Sequence, residues 1–385
     1  MWLYPLYYRG VCVFIKKKWV REMSISQYES RSAIEYDFFS PDFTIQGLTP
    51  DVLSNKIEDL RKLKAIPQYL TGPLFVLWEL SGKCCLHCRY CYNNSPSNVE
   101  LTTEEALDLV DELDKLQVFS VCLSGGEPLL RKDLLTIMDA LIERKIGVGM
   151  VTSGFGLTEN LAKEISNRLS AIQISLDGPT KEVNDYLRGP GAFDTAIRAI
   201  KLFREYGKIE DIRISCLTTA YNIGFFEDMV KLCLKLGIRT LRTQPVIMTG
   251  RARKDKSLMV NPEDYEKLEQ LIRSLNNSKN LQGKLSIQSG NPLLHIYYGI
   301  ILGFTTFVRI TPEGIYCISP YVNYAFGDIK SIKLSECWNK GLKVAWKHPD
   351  IVSRLSKVRS YLDIANLGEE CEKYIYLDPE QALRV

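Results

Sequence analysis

Between residues 75 and 245 the chain alternates short β-branched runs with amphipathic stretches of helical period, and this alternation restricts the fold more than any other feature. Phe75–Leu80, Ser120–Ser124, Gly147–Thr152, Ala171–Leu176, Asp211–Thr218 and Ile238–Gln244 read as strands. The stretches between them, Glu104–Leu116, Leu134–Lys145, Glu159–Leu169, Phe193–Tyr206 and Phe225–Leu236, place apolar residues three and four apart and read as helices. Thr102 and Glu105 form a capping-box pair ahead of the first helix. Repeated strand–helix units give a parallel sheet with right-handed crossovers. Six strands fall short of the eight that close a barrel. The expected fold is therefore α/β: a partial (β/α)6 barrel with a parallel sheet, followed by a small α+β C-terminal extension. The expected division is 1–70 for an N-terminal segment, 71–255 for the barrel core and 256–385 for the extension.

Parallel sheets do their chemistry at the carboxyl ends of their strands. The conspicuous residues fall there. Cys84-Cys85-Leu86-His87-Cys88-Arg89-Tyr90-Cys91 follows the first strand and Gly125-Gly126-Glu127-Pro128 the second. Thr152-Ser153-Gly154 marks the end of the third, and Asp177-Gly178 the end of the fourth. Of eleven cysteines, four lie within eight positions, and no secretion signal accompanies them, which favours metal binding over a disulfide framework. A structural zinc site closes with four ligands, and Cys85 or His87 could supply the fourth. An iron–sulfur site is the favoured reading, and zinc stays open on the cysteines alone.

With its neighbours included, this segment resembles the radical S-adenosylmethionine superfamily. That family spaces three cysteines by three and then two residues and sets an aromatic residue before the last. Cys84, Cys88, Tyr90 and Cys91 match this pattern. The resemblance continues through Gly125-Gly126-Glu127-Pro128, Ser175-Leu176-Asp177-Gly178 and Arg188-Gly189, and it closes at Gly250-Arg251-Ala252. It implies one 4Fe–4S cluster held by Cys84, Cys88 and Cys91, whose fourth iron is chelated by S-adenosylmethionine. It further implies that Tyr90, Gly125, Gly126, Glu127, Ser153, Ser175, Asp177 and Arg188 surround that cofactor, with Glu127 on its ammonium. Cys85 and His87 are read as loop residues that do not ligate.

Residues 309–338 run Arg-Ile-Thr-Pro-Glu-Gly-Ile-Tyr-Cys, then Phe-Gly-Asp-Ile, then Leu-Ser-Glu-Cys-Trp, and resemble a degenerate SPASM or twitch extension. Such extensions carry auxiliary clusters, yet Cys317, Cys337 and Cys371 are widely separated here. No auxiliary cluster is expected. Scattered thiols of this kind are usually buried small apolar groups; Cys317 and Cys371 are the weak candidates for a catalytic hydrogen donor. Helices are expected at Pro50–Leu63, Pro262–Leu275 and Leu334–Trp346, with short strands and turns from Gly283 onward.

The resemblance points to an enzyme that abstracts hydrogen from a peptide or protein during its maturation, served by an electron donor such as flavodoxin or ferredoxin. Two alternatives are a radical enzyme acting on a small molecule such as a tetrapyrrole, and a zinc or redox module without radical chemistry. With 49 basic and 46 acidic residues, the charge balance gives no reason to expect a nucleic-acid partner. The longest uninterrupted apolar run near the N-terminus, Val11–Ile15, is far too short to span a membrane. A strand or arm is expected there, and a cytoplasmic location.

Overall fold

The computed structural model describes residues 3–8, 11–16, 67–92, 97–207, 209, 211–370 and 374–384. The N-terminal strands β1 (Leu3–Tyr8) and β2 (Val11–Lys16) pair as an antiparallel hairpin. The helix expected at Pro50–Leu63 lies outside the described residues.

The core forms where the alternation places it. Strands β3 (Phe75–Glu79), β4 (Ser120–Ser124), β5 (Gly147–Thr152), β6 (Ala171–Ser175), β7 (Ile212–Thr218) and β8 (Thr240–Pro245) run parallel and in chain order. The crossovers carry α1 (Thr103–Lys115), α2 (Leu134–Glu143), α3 (Glu159–Ser166), α4 (Lys181–Arg188), α5 (Ala192–Tyr206) and α6 (Phe226–Lys235). The capping box at α1 is present in both directions: Thr102 Oγ1 accepts from Glu105 N–H, and Glu105 Oε2 accepts from Thr102 N–H. Successive strand residues point to opposite faces. Val76, Trp78, Val121, Leu123, Met150, Ile172 and Ile214 therefore bury against the helices in one continuous core. The inner face is different in kind. A small apolar floor of Phe75, Cys122, Ala171 and Phe307 lies below polar side chains, among them Gln173, Arg213 and Arg242, all buried.

The parallel sheet does not stop at six strands. After α7 (Pro262–Asn277), β9 (Ser286–Ser289) joins beyond β8, also parallel. After α8 (Pro292–Leu302), β10 (Phe307–Ile310) returns to the far edge and pairs in parallel with β3. Then β11 (Ile315–Cys317), β12 (Tyr324–Asp328) and β13 (Ile375–Tyr376) continue the same sheet outward, for eleven strands among the described residues. Helix α8 falls in the region expected to hold only strands and turns. Its sequence, PLLHIYYGIIL, is apolar on every side, so no helical period shows in it. The expected single helix Leu334–Trp346 breaks at Gly341 into α9 (Leu334–Lys340) and a 3-10 turn, Leu342–Lys347. Two further helices, α10 (Pro349–Leu355) and α11 (Tyr361–Glu370), follow, and a 3-10 turn at Pro379–Leu383 comes after β13.

Candidate functional site

The loop after β3 is fastened at both ends by backbone contacts that only glycine permits. At its root, Gly126 N–H donates to Ser81 O and Glu127 N–H to Lys83 O, both at 2.7 Å. A Cβ on Gly126 would lie 2.1 Å from Lys83 O, and one on Gly125 2.6 Å from Ser81 O, so side chains at these positions would drive the two segments apart. At its exit, Gly250 (φ +55°) comes so close that a Cβ there would lie 2.3 Å from Cys91 O. The next residue closes the clamp: Arg251 N–H donates to Cys91 O at 2.9 Å and its Nε to Cys88 O at 2.8 Å.

Within that loop Cys88 is buried, Cys84 and Cys91 are half-buried, and all three pack in one cluster with Leu86, Tyr90 and Ala192. Cys85 is exposed and stands outside the cluster. Burial pushes the Cys84 thiol up to about 11 and raises that of Cys88 as well, with Arg188 opposing the rise at Cys88. Among the described residues, no three Cys, His, Asp or Glu side chains are close enough to share one ion.

Beside the loop, Asp177 is a hub. One of its oxygens accepts from the Tyr90 hydroxyl and from Arg188 Nη1 (2.8 Å), the other from Leu217 N–H (2.7 Å). Arg188 Nη1 also donates to the Tyr90 oxygen at 2.6 Å. Asn222 Nδ2 holds the Asp177 carbonyl at 2.7 Å. The structure thus brings together Tyr90, Asp177 and Arg188, and Arg188 Nε is buried with no hydrogen-bond partner among the described residues.

Glu127 forms a second, separate centre. It is fully buried and accepts four hydrogen bonds: from Thr152 Oγ1, Ser153 Oγ, Ser153 N–H (2.8 Å) and Leu129 N–H (3.2 Å). Desolvation raises its carboxyl above the ordinary range, and the four donors oppose that rise. A carboxylate has about four acceptor positions, so Glu127 is a bracket between the ends of β4 and β5. Ser153 is turned onto that bracket. Ser175 ends β6, in register with Ser215 on β7.

Three features escaped the sequence reading. Arg251 was visible only as the close of a motif. Thr152 shows in the sequence only as the residue before Ser153-Gly154 at a strand end. The third is a buried ion pair in which Arg309 Nε and Nη2 meet Glu79 Oε1 (2.8 Å) and Oε2 (3.0 Å), joined by the Tyr92 hydroxyl on Oε1 (2.5 Å). Glu79 and Arg309 are 230 residues apart, and nothing local in either segment announces the pair. Of the two candidate hydrogen donors, Cys317 is fully buried near Arg309 and Glu79, and Cys371 lies outside the described residues.

Residues 78–237, somewhat under half of the chain, match the family model described as Radical SAM superfamily. A domain of that family implies a 4Fe–4S cluster and S-adenosylmethionine. Among curated relatives, mycofactocin maturase MftC of Mycobacterium ulcerans (strain Agy99) is 35% identical over 198 residues, 50% of this chain and 52% of that protein. The AdoMet-dependent heme synthase of Oleidesulfovibrio alaskensis is 26% identical over 293 residues, 69% of this chain and 74% of the other. The chain spans about half the length of the first of these relatives. Among solved structures, Streptococcus suis SuiB bound to the precursor peptide SuiA superposes with a TM-score of 0.61 at 18% identity, covering 94% of this chain and 86% of SuiB. At that identity the likeness shows a shared fold. No helix among the described residues is long and apolar enough to cross a membrane.

Proposed function

We propose that this chain is a radical S-adenosylmethionine enzyme of peptide or protein maturation, with Cys84, Cys88 and Cys91 holding one 4Fe–4S cluster. The observation that carries the reading is the loop itself: three thiols on one short segment, bound by backbone hydrogen bonds to Gly126–Glu127 at one end and Arg251 at the other. The donor set fits the group. Thiolates are soft ligands suited to iron–sulfur clusters, and three of them leave one iron of a cube for another ligand. When bound, the cluster and S-adenosylmethionine supply one-electron cleavage of a sulfonium bond and hence a carbon-centred radical.

The chain's own residues bind and orient. Arg188, with its buried Nε lacking a protein acceptor, suits the carboxylate of a small zwitterion. Asp177 keeps Arg188 and Tyr90 in place. Glu127 fixes Ser153 and the strand ends, which leaves the Gly125–Gly126 rim to approach the cofactor's amino group through backbone carbonyls. The peptide assignment is supported by the maturase relatives, at higher identity than the heme synthases, and by the fold shared with a structure solved with a precursor peptide.

The test is anaerobic reconstitution followed by reduction with S-adenosylmethionine present, assaying 5′-deoxyadenosine and the mass of a short peptide encoded beside this chain. Deoxyadenosine with a changed peptide mass is expected. Fully loaded, reduced protein that makes no deoxyadenosine would remove the radical reading. Deoxyadenosine formed only with a tetrapyrrole would transfer the assignment to that substrate class.

A further inference from the structure

We infer that Tyr92 is a positioning residue for the proposed cluster ligand Cys91, and that the C-terminal extension acts on the cluster site through it. The inference rests on the cluster proposed for the cysteine loop and goes beyond it, since Tyr92 lies outside the motif of Cys84, Cys88, Tyr90 and Cys91. Cys91 stands between two tyrosines whose hydroxyls are tied to different strand ends. Tyr90 donates to Asp177, just after β6, and Tyr92 donates to Glu79 Oε1 at the end of β3, at 2.5 Å. Strands β3 and β6 are three places apart, about 14 Å measured along the sheet. Side chains held in this way on either side of Cys91 fix the course of its backbone and hence the direction of its thiol. Gly250 adds a third restraint: a Cβ there would lie 2.5 Å from Tyr92 O, so the Tyr92 carbonyl has no room to move toward that segment.

The carboxylate that receives Tyr92 is held by the extension. Glu79 is fully buried, and Arg309 on β10 meets both of its oxygens, at 2.8 and 3.0 Å. The same guanidinium faces the Tyr92 ring, 5.2 Å from its centroid, so Arg309 braces both the acceptor and the donor of the bond. Tyr92 itself is 37% exposed. A tyrosine at the solvent edge can give its hydroxyl to water. Here the hydroxyl is turned inward onto a charged, buried acceptor, which makes a stronger and more directional bond. A site with three protein ligands has little redundancy, and residues that orient metal ligands commonly govern affinity by about tenfold or more. Arg309 thus gives the extension a share in the cluster site without lending it a ligand.

Tyr92→Phe tests the inference, because it deletes the hydroxyl and leaves a ring against Arg309. Tyr374→Leu is the control: it removes another ring that Arg309 faces, 5.9 Å away, at a position remote in sequence from the cysteine loop. In cluster-free protein, timed iodoacetamide labelling read by peptide mass spectrometry should show Cys91 reacting about tenfold faster in Tyr92→Phe than in wild type. Cys84 labelling and the urea unfolding midpoint should stay at wild-type values. After anaerobic reconstitution, a ferrous chelator should strip iron from Tyr92→Phe about tenfold faster than from wild type or Tyr374→Leu. Unchanged Cys91 labelling in Tyr92→Phe, equal acceleration at Cys84 and Cys91, equal iron release from all three proteins, or the same changes in Tyr374→Leu would overturn the inference. With iron taken up by wild type, any of these results overturns this inference alone; no iron uptake by wild type would overturn the proposed function as well.

Discussion

Glu127 shows how far a residue's partners can lie outside its own segment. Its place at a strand end was legible from the glycine pair before it, but Thr152 and Ser153, which close on it from the next strand, lie 25 and 26 residues away. Only a structure shows that its acceptor positions are filled. Glu127→Ala should leave four donors without their acceptor and destabilise the cluster-free protein by about 2–4 kcal/mol in urea unfolding. A residue that served S-adenosylmethionine alone would leave that stability unchanged. The cysteines make a second test. Alkylation needs the thiolate. In cluster-free protein at pH 8, exposed Cys85 should react first, Cys84 slowly, and Cys317 and Cys337, whose burial pushes them up to about 12, only on unfolding. The folded Cys84 value of about 11 exceeds its ordinary 9.0. Its contribution to stability is therefore full below pH 9 and lost as pH rises through 11, while alkylation at Cys84 accelerates about tenfold per pH unit over that window. Mass spectrometry of labelled peptides reads both the order and the slope.

At the level of elements, local pattern made β3 to β8 legible to within a residue or two, because each carries its own alternation and its own turn. The edges were not legible. Strand β10 is four residues long, its partner β3 is more than two hundred residues upstream, and the two strands bury the Glu79–Arg309 ion pair between them. Removing one partner of such a pair leaves an uncompensated charge. Arg309→Leu alone should therefore cost about 3–5 kcal/mol, and Glu79→Gln with Arg309→Leu should recover much of it. Thermal unfolding of the single and double variants measures the difference; a double variant no better than the single would mean that Arg309 acts through packing on Tyr92 and Tyr374, whose rings it faces. Tyr92 directly follows Cys91, so the same pair connects the extension to the exit of the cysteine loop.

Across the whole molecule, the barrel and the extension share one sheet, and that sheet separates the extension's thiols. Cys317 is the register partner of Arg309 and shares its surroundings with Glu79 on the inner side. The preceding residue, Tyr316, points to the opposite face, as consecutive strand residues must. There it meets Cys337, which packs in the outer core and donates its S–H to Phe326 O at 3.3 Å. Two thiols on opposite faces of a sheet cannot reach one cube unless β11 leaves the sheet. We therefore predict that a variant with Cys84, Cys88 and Cys91 all changed to Ala retains almost no iron after anaerobic reconstitution, against about four irons in wild type. If the prediction holds, no second cluster takes an electron from a substrate radical, and the favoured outcomes are redox-neutral, an epimerisation or a rearrangement. A reaction run in deuterium oxide would then leave the product's oxidation level unchanged. About four irons remaining in the triple variant, with a cluster's paramagnetic signal on reduction, would show an auxiliary site and make net oxidation of the substrate the better expectation.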